Sequence, residues 1–291
     1  MRTRQLTGVR RSILAWYAVE QRDFPWRRTR DPYAVLVSEV MLQQTQASRV
    51  AERFPRFIAR FPSADALACA PQAEVLAEWS GLGYNRRALA LQRAATLVAA
   101  GGWPPDAEGL ELLPGIGPYT ARAVASLAFS APVGVVDTNV RRWLVRRLRV
   151  ADRPADLQAA ADLLAGLGDG HGTEIAAWTH ATIEFGARIC TSRAPRCGEC
   201  PVARGCPSRL SPKPVSVARQ PAFAGSSRQH RGALLRALAG APDHHLDERD
   251  ARDLTSRGAV EATTFRRTVD GLERDGLLHR SGGKLHLGGR R

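Results

Sequence analysis

From residue 8 to residue 187, apolar side chains recur at three- and four-residue intervals, the spacing that lines them along one side of an α-helix. The pattern runs through GVRRSILAWYAVE, YAVLVSEVMLQQTQASRVAERF, ADALA, QAEVLAEWS, RRALALQRAATLVAA, YTARAVASLAF and TNVRRWLVRRL. Between these segments, FPWRRTRDP, GLGYN, GGWPPD and LPGIGP put Gly and Pro where a helix cannot continue. Strand-like alternation is nearly absent, so the expectation is an all-α body. After Cys206 the pattern lapses. PSRLSPKPVSVARQPAFAGSSRQ is rich in Pro and Ser and has no period, which predicts a linker over residues 210–228. In residues 229–291, RGALLRALAG, DERDARDLTSRG and TTFRRTVDGLERDGLL predict three short helices, and LHRSGGKLHLGG predicts a two-stranded hairpin. Three helices and a hairpin make a small winged-helix-like domain.

One helical segment breaks its own pattern. VSEVMLQQTQ carries Glu39 among Val, Met and Leu and then three glutamines. On a continuous helix, Glu39, Gln43 and Gln46 share a side at i, i+4 and i+7. A carboxyl set among apolar neighbours loses water, which raises its pKa and keeps it protonated near neutrality.

Charge narrows the partner. The chain has 291 residues and a formal net charge of +14. All but two of its 42 basic residues, Lys213 and Lys284, are arginine. A GC-rich genome accounts for arginine over lysine but not for the excess of positive charge, which points to a polyanion, nucleic acid ahead of acidic membrane. No apolar run reaches the ~18 residues of a membrane span, and the N-terminal MRTRQLTGVRR has no apolar core for a secretion signal. A cytoplasmic location is expected. Four of the five cysteines fall between residues 190 and 206, which in a reducing compartment reads as metal ligation. Cys69 reads as a small core residue.

Three local patterns carry chemistry. In LLPGIGPYTARAVASLAF a Gly-x-Gly turn stands directly before a helix, and the amides of Gly115 and Gly117 can grip a backbone phosphate together with the helix N-terminus. Asp137, followed by Thr138 and Asn139 ahead of an apolar-periodic run, is a ready helix N-cap. Cys190, Cys197, Cys200 and Cys206 offer four thiolates with a single Cys-x-x-Cys pair, suited to tetrahedral zinc or to a four-iron cluster.

Taken together these stretches resemble a known superfamily. LPGIGPYTA is similar to the helix-hairpin-helix of the endonuclease III-like DNA glycosylases, VVDTNVRR to their catalytic aspartate segment, and the cysteine spacing to their [4Fe-4S] loop. Within that superfamily SEVMLQQTQ, FPWR and GLGYNRRA resemble the MutY-type adenine DNA glycosylases, and the likeness runs from about residue 8 to residue 208. It implies a two-lobed helix-hairpin-helix fold over 1–209, with a six-helix lobe at about 26–130 and a cluster lobe made from about 1–25 and 131–209. The implied activity is hydrolysis of the N-glycosidic bond of adenine mispaired with 8-oxoguanine or guanine in double-stranded DNA, by a monomer. Glu39 would be the acid at adenine N7, Asp137 would stabilise the oxocarbenium ion, and Tyr119 and Asn139 would assist it. Leu42, Gln43, Gln44 and Tyr84 would enter or border the base stack, and Gly115, Gly117, Arg193 and Arg196 would meet phosphates. Superfamily members that also cut the strand use a lysine where Tyr119 stands. This chain has no lysine before Lys213, which implies a monofunctional enzyme.

The likeness has gaps. Residues 210–291 are too short for the Nudix-like domain of typical members and look like the reduced tail of some actinobacterial relatives. Asn85 replaces the second of two usual tyrosines, and Thr138 stands where glycine is common. Two other readings follow: a glycosylase removing thymine or uracil opposite guanine, and an iron-sulfur winged-helix transcription regulator.

Overall fold

The computed structural model describes residues 3–168, 172–209, 222–255 and 262–290. Most of the linker expected at 210–228 therefore lies outside the described residues. Within them the chain forms two compact units, one from residues 3–39, Pro104–Leu112, 116–168 and 172–209, the other from Val40–Trp103, Leu113–Gly115, 222–255 and 262–290.

The chain is mostly helical, as its period predicts. The helices run α1 (Thr3–Glu20), α2 (Pro32–Leu42), α3 (Ala47–Arg60), α4 (Ala64–Cys69), α5 (Gln72–Glu78), α6 (Arg86–Gly101), α7 (Ala107–Glu111), α8 (Pro118–Phe129), α9 (Thr138–Leu148), α10 (Pro154–Ala165) and α11 (Gly172–Arg188). The segment expected as one long helix through the glutamines is two. α2 stops at Leu42, Gln44 takes a left-handed φ of 56°, and α3 starts at Ala47. Gln43 and Gln46 therefore do not extend the Glu39 face of a helix. Glutamine is a good helix former, so local propensity does not end the helix; Arg87 donates to the carbonyls of Val40, Met41 and Gln43, which a continuous helix would use itself. Cys69 also departs from expectation. α4 buries Ala64 and Leu67, three apart, and Cys69 at its last position is exposed.

The first unit is centred on α9 and α11. Trp143, Leu144, Trp178, Ala181 and Phe185 pack with Ile13 and Tyr17 of α1. Trp143 meets Phe185 edge-on with ring centroids 5.9 Å apart, an arrangement that adds about 1 kcal/mol to the burial of the rings. Close approach of α9 and α11 requires Gly186, because a Cβ there would stand 2.5 Å from the Asn139 carbonyl oxygen.

The C-terminal residues belong to the second unit. They form α12 (Ser227–Gly240), β1 (His245–Asp247), α13 (Glu248–Thr255), α14 (Ala262–Arg274), β2 (Leu278–Ser281) and β3 (Lys284–Leu287). The sheet is antiparallel in the order β1-β3-β2, with His286 opposite both His245 and His279. This is the winged-helix order, with three strands where the sequence suggests two. β1 is only three residues long, too short for alternation to show. Leu234, Leu238, Phe265, Val269, Leu272 and Leu285 fill its core. α12 and β3 pack on α5, and the Gly289 amide donates to Gln72 Oε1 at 3.0 Å.

Candidate active site

Four of the residues singled out in the sequence come together in the first unit. α2 begins after Asp31, whose side chain accepts from the Ala34 amide at 2.9 Å. Val35, Leu36, Val37, Val40 and Met41 are all buried, so the helix has no solvent face along this stretch. Glu39 is carried into the interior with them and is only 4% exposed. It shares a hydrogen bond with the Tyr119 hydroxyl, and its Oε2 has no hydrogen-bond partner among the described residues. Burial pushes its pKa from the usual 4.5 to about 7, against the lowering effect of the Tyr119 hydroxyl and with a further upward push from Asp137. The same burial drives the Tyr119 hydroxyl well above its ordinary value, so it stays a neutral donor.

Tyr119 lies in the first turn of α8. Gly117 caps that helix and Pro118 is its first residue, where a missing N–H costs nothing and φ is pre-set. Gly117 has nothing within 4 Å of the place a Cβ would take, so its backbone is open to approach. Gly115 has a φ of 78°, and a Cβ there would sit 2.6 Å from the Cβ of Ala90.

Asp137 caps α9, and both roles foreseen for it fit one geometry. Oδ1 accepts from the amides of Asn139 and Val140 at 2.8 and 2.7 Å, and Oδ2 accepts from Asn139 Nδ2 at 2.6 Å. Burial raises its pKa, while these donors and the Arg142 guanidinium pull it back down. Asn139 is fixed in turn, because its Oδ1 accepts from Arg142 Nη2 at 2.8 Å. Arg142 also donates to the carbonyls of Gly186 and Cys190, both at 2.6 Å. The aspartate, the asparagine and the first cysteine of the 190–206 loop are thus joined by one guanidinium.

Sequence reading missed a second buried cluster. Glu184 on α11 is fully buried and accepts from Arg22 Nε at 2.6 Å, Arg22 Nη2 at 2.9 Å and Arg27 Nη2 at 2.7 Å. Burial raises its pKa, but the two guanidiniums outweigh it and hold the carboxyl below its usual value. Beside it His180 is held to about 3, first by burial and then by the Arg27 charge, so it is neutral. Arg27 also adds its field to Glu39. The signal in the sequence is the one that exposed Glu39: an acidic residue inside an apolar helical run, here WTHATIEFGARIC.

The four thiols of Cys190, Cys197, Cys200 and Cys206 line one cavity with Phe185, Ile189 and Val202. Burial and the neighbouring cysteines push Cys200 to about 11. Arg146 Nη1 lies 3.8 Å from Cys190 Sγ. Among the described residues no three His, Cys, Asp or Glu are gathered as ligands of a single metal ion. A tetrahedral zinc needs all four sulfurs about 2.3 Å from one centre, whereas a four-iron cluster takes one thiolate at each corner. Four thiols on one cavity, with Arg146, Arg147, Arg196 and Arg209 also lining it, are the kind of donor set such a cluster takes. Arg193 and Arg196 are exposed on this loop, with Arg196 3.5 Å from Glu199.

The remaining sequence-predicted residues lie in the second unit. Leu42 ends α2, half-buried, and Gln43 and Gln44 follow in the turn. Tyr84 has a left-handed φ of 48° and is 44% exposed. Left-handed backbone is costly for a residue with a Cβ and collects where function demands it. Gln44 and Tyr84 both adopt it. The guanidinium of Arg87, stacked between the rings of Trp79 and Tyr84, ties the two turns together. It donates to the carbonyls of Val40 at 2.6 Å, Gln43 at 2.5 Å and Gly83 at 2.9 Å, and to Thr45 Oγ1 at 3.1 Å.

Known proteins share this design. Residues 37–167 match the family described as HhH-GPD superfamily base excision DNA repair protein. An adenine DNA glycosylase of Mycolicibacterium smegmatis is 40% identical over 95% of this chain and 95% of its own length. One from Mycobacterium tuberculosis is 43% identical over 79% of this chain and 78% of its own. The human adenine DNA glycosylase is 39% identical over 70% of this chain but 40% of its own length. Among solved structures, a thermostable thymine-DNA glycosylase superposes with a TM-score of 0.65 at 29% identity, covering 72% of this chain and 98% of the other. A trapped endonuclease III–DNA covalent intermediate shares the fold, with a TM-score of 0.61 at 22% identity, covering 72% and 98%. These relatives do not favour the regulator reading or the thymine reading. The chain belongs to the adenine DNA glycosylase family of the HhH-GPD superfamily.

Proposed function

We propose that the chain is a base-excision-repair glycosylase that hydrolyses the N-glycosidic bond of adenine opposite 8-oxoguanine or guanine in duplex DNA. One observation carries the reading: a buried carboxyl with its pKa near 7, one oxygen held by Tyr119 and the other without a partner among the described residues, in the same unit as the half-buried aspartate that caps α9. Protonated Glu39 donates to N7 of a flipped adenine and makes the base a better leaving group. As the bond stretches, positive charge builds on the sugar, and Asp137 stabilises it from a position that Asn139 holds fixed. Tyr119 keeps the Glu39 proton directed and assists Asp137. Leu42, Gln43, Gln44 and Tyr84 hold the base stack open, and the backbones of Gly115 and Gly117 grip a phosphate, with Arg193 and Arg196 at another. Cys190, Cys197, Cys200 and Cys206 would hold a [4Fe-4S] cluster whose part is to fold and position their loop. The enzyme works as a soluble monomer in the cytoplasm.

The test is single-turnover base release from duplexes carrying A opposite 8-oxoguanine, A opposite G, T opposite G and U opposite G. Adenine release, fastest from the first, and its loss in Asp137→Asn with DNA binding kept, is the expected result. Thymine or uracil release without adenine release would refute the reading.

A further inference from the structure

The second unit contains a cleft of about 590 Å³ in which Gln43, Gln44 and Tyr84 face C-terminal residues to which the proposed function gives no part. One wall is formed by the turns at Gln43, Gln44 and Ser80–Arg86, the other by α12 and the turn that precedes it. The two walls carry the same kinds of side chain. Arg49 and Arg86 on the first and Arg236 on the second are exposed, and Arg228 is half-buried at the start of α12. Among the described residues, no acidic side chain lines the cleft. Asp275, close by, is occupied by Arg231 and stands 3.7 Å from Arg86. Each wall also presents an exposed aromatic ring, Tyr84 at 44% and Phe223 at 56%. Most large apolar side chains of the chain are buried, so a phenylalanine left open on a cationic cleft needs a reason.

Exposed rings set among guanidiniums, in a cleft that no carboxylate lines, are what a nucleic-acid strand requires. Every base has a π-face to lay on a ring, and every step of the backbone carries a charge for an arginine. We propose that this cleft binds a segment of DNA strand, with Phe223 packed on a base and Arg228 and Arg236 on the flanking phosphates. α12 would then make the C-terminal helices part of the DNA interface. The proposal rests on the glycosylase reading for the nature of the strand. It also departs from the usual winged-helix arrangement, in which the last helix of the motif enters the groove. Here that helix is α14, and its exposed Arg266 and Arg267 do not line the cleft.

The experiment is fluorescence anisotropy with the full chain and a short duplex containing an uncleavable abasic-site analogue, between about 50 and 200 mM salt. The expected result is that Arg228→Ala/Arg236→Ala lowers affinity by about 10-fold or more and makes the log–log salt slope shallower by about 2, close to 0.9 for each phosphate no longer neutralised. Phe223→Ala, on an exposed side chain that the fold does not need, is expected to lose about 5-fold or more, with little change in slope. Arg266→Ala/Arg267→Ala removes the same charge and is expected to change affinity less than 2-fold. Unchanged affinity in both cleft variants, or an equal loss in the α14 control, would overturn the proposal. So would displacement of the duplex by an acidic peptide where an oligonucleotide strand fails. Because binding is read on DNA with no reactive adenine, the two readings fail separately. A wild-type chain that releases no adenine but needs the cleft arginines to bind refutes the enzyme alone, and the reverse refutes the cleft alone.

Discussion

The Glu39 carboxyl is placed so that its ionisation state decides both chemistry and stability. Its pKa near 7 means that the acid form prevails below neutrality. If protonated Glu39 is the acid, single-turnover adenine release should hold below about pH 7 and fall about tenfold per unit above it. A rate that stays flat to pH 9 would remove Glu39 from that role. The stability sign follows from the same shift. A carboxyl whose folded pKa is raised from 4.5 costs nothing below 4.5, when both states are protonated, and its full penalty appears above about 7. That penalty is about 3 kcal/mol. Glu39→Gln should therefore melt like the wild type near pH 4 and higher than it at pH 8, with base release lost by several orders of magnitude. Gly115 makes a second prediction at this scale. Alanine there meets both a φ of 78° and the Ala90 Cβ at 2.6 Å, so Gly115→Ala should cost about 2 kcal/mol or more in denaturant unfolding. Gly117→Ala, with φ of −96° and open space, should cost far less stability while weakening DNA binding. Glu39, Asp137 and the hairpin glycines were legible because each breaks a local rule: an acid in an apolar run, a cap ahead of a helix, a Gly-x-Gly before Pro. Glu184 carried the same signal as Glu39 and was passed over, whereas its partners Arg22 and Arg27 were not legible, because they meet it only in three dimensions from more than 150 positions away.

At the scale of elements the helical period was sufficient to find most helices and insufficient to end them. The break between α2 and α3 depends on Arg87, 43 positions after Gln44, whose guanidinium caps carbonyls that a continuous helix would have used itself. No window of local sequence holds that information. The same hydrogen bonds explain how Gln44 and Tyr84 are kept in left-handed backbone. Burial lowers the Arg87 pKa to about 10, still charged at neutral pH. Arg87→Ala would strand several buried carbonyls at once and should destabilise the chain by about 3 kcal/mol. Arg87→Lys keeps the charge but has no planar fork to span two turns, so it should recover only part of that loss and bind DNA more weakly than the wild type. Full recovery with lysine would mean that charge, not the fork, holds the turns. The short β1 was hidden for a related reason. Three residues cannot display a period of two, and only pairing with β3 makes them a strand.

For the whole molecule, the net charge of +14 and the near absence of lysine have separate consequences. The charge sets association with DNA. If six arginines meet phosphates, affinity should fall about a thousandfold between 50 and 200 mM salt, and a flat response would contradict the basic surfaces of both units. The lysine count governs the fate of the product. A glycosylase that also cleaves the strand needs an amine that can form a Schiff base with the opened sugar. By the superfamily resemblance, residue 119 is the position where such an amine would act; here it is Tyr119, whose hydroxyl is engaged with Glu39 and held neutral, and no lysine precedes Lys213. Arginine cannot substitute, because its guanidinium stays protonated. Purified chain should accordingly leave an intact strand bearing an abasic site, nicked only after alkali or heat, and borohydride should trap no covalent adduct. The revealing variant is Tyr119→Lys, which introduces the missing amine next to Glu39 and Asp137. Prompt, borohydride-trappable nicking in that variant alone would place residue 119 within reach of the sugar carbon. Nicking by the wild type would instead require Lys213, Lys284 or the N-terminal amine to reach the sugar, and would overturn the monofunctional reading.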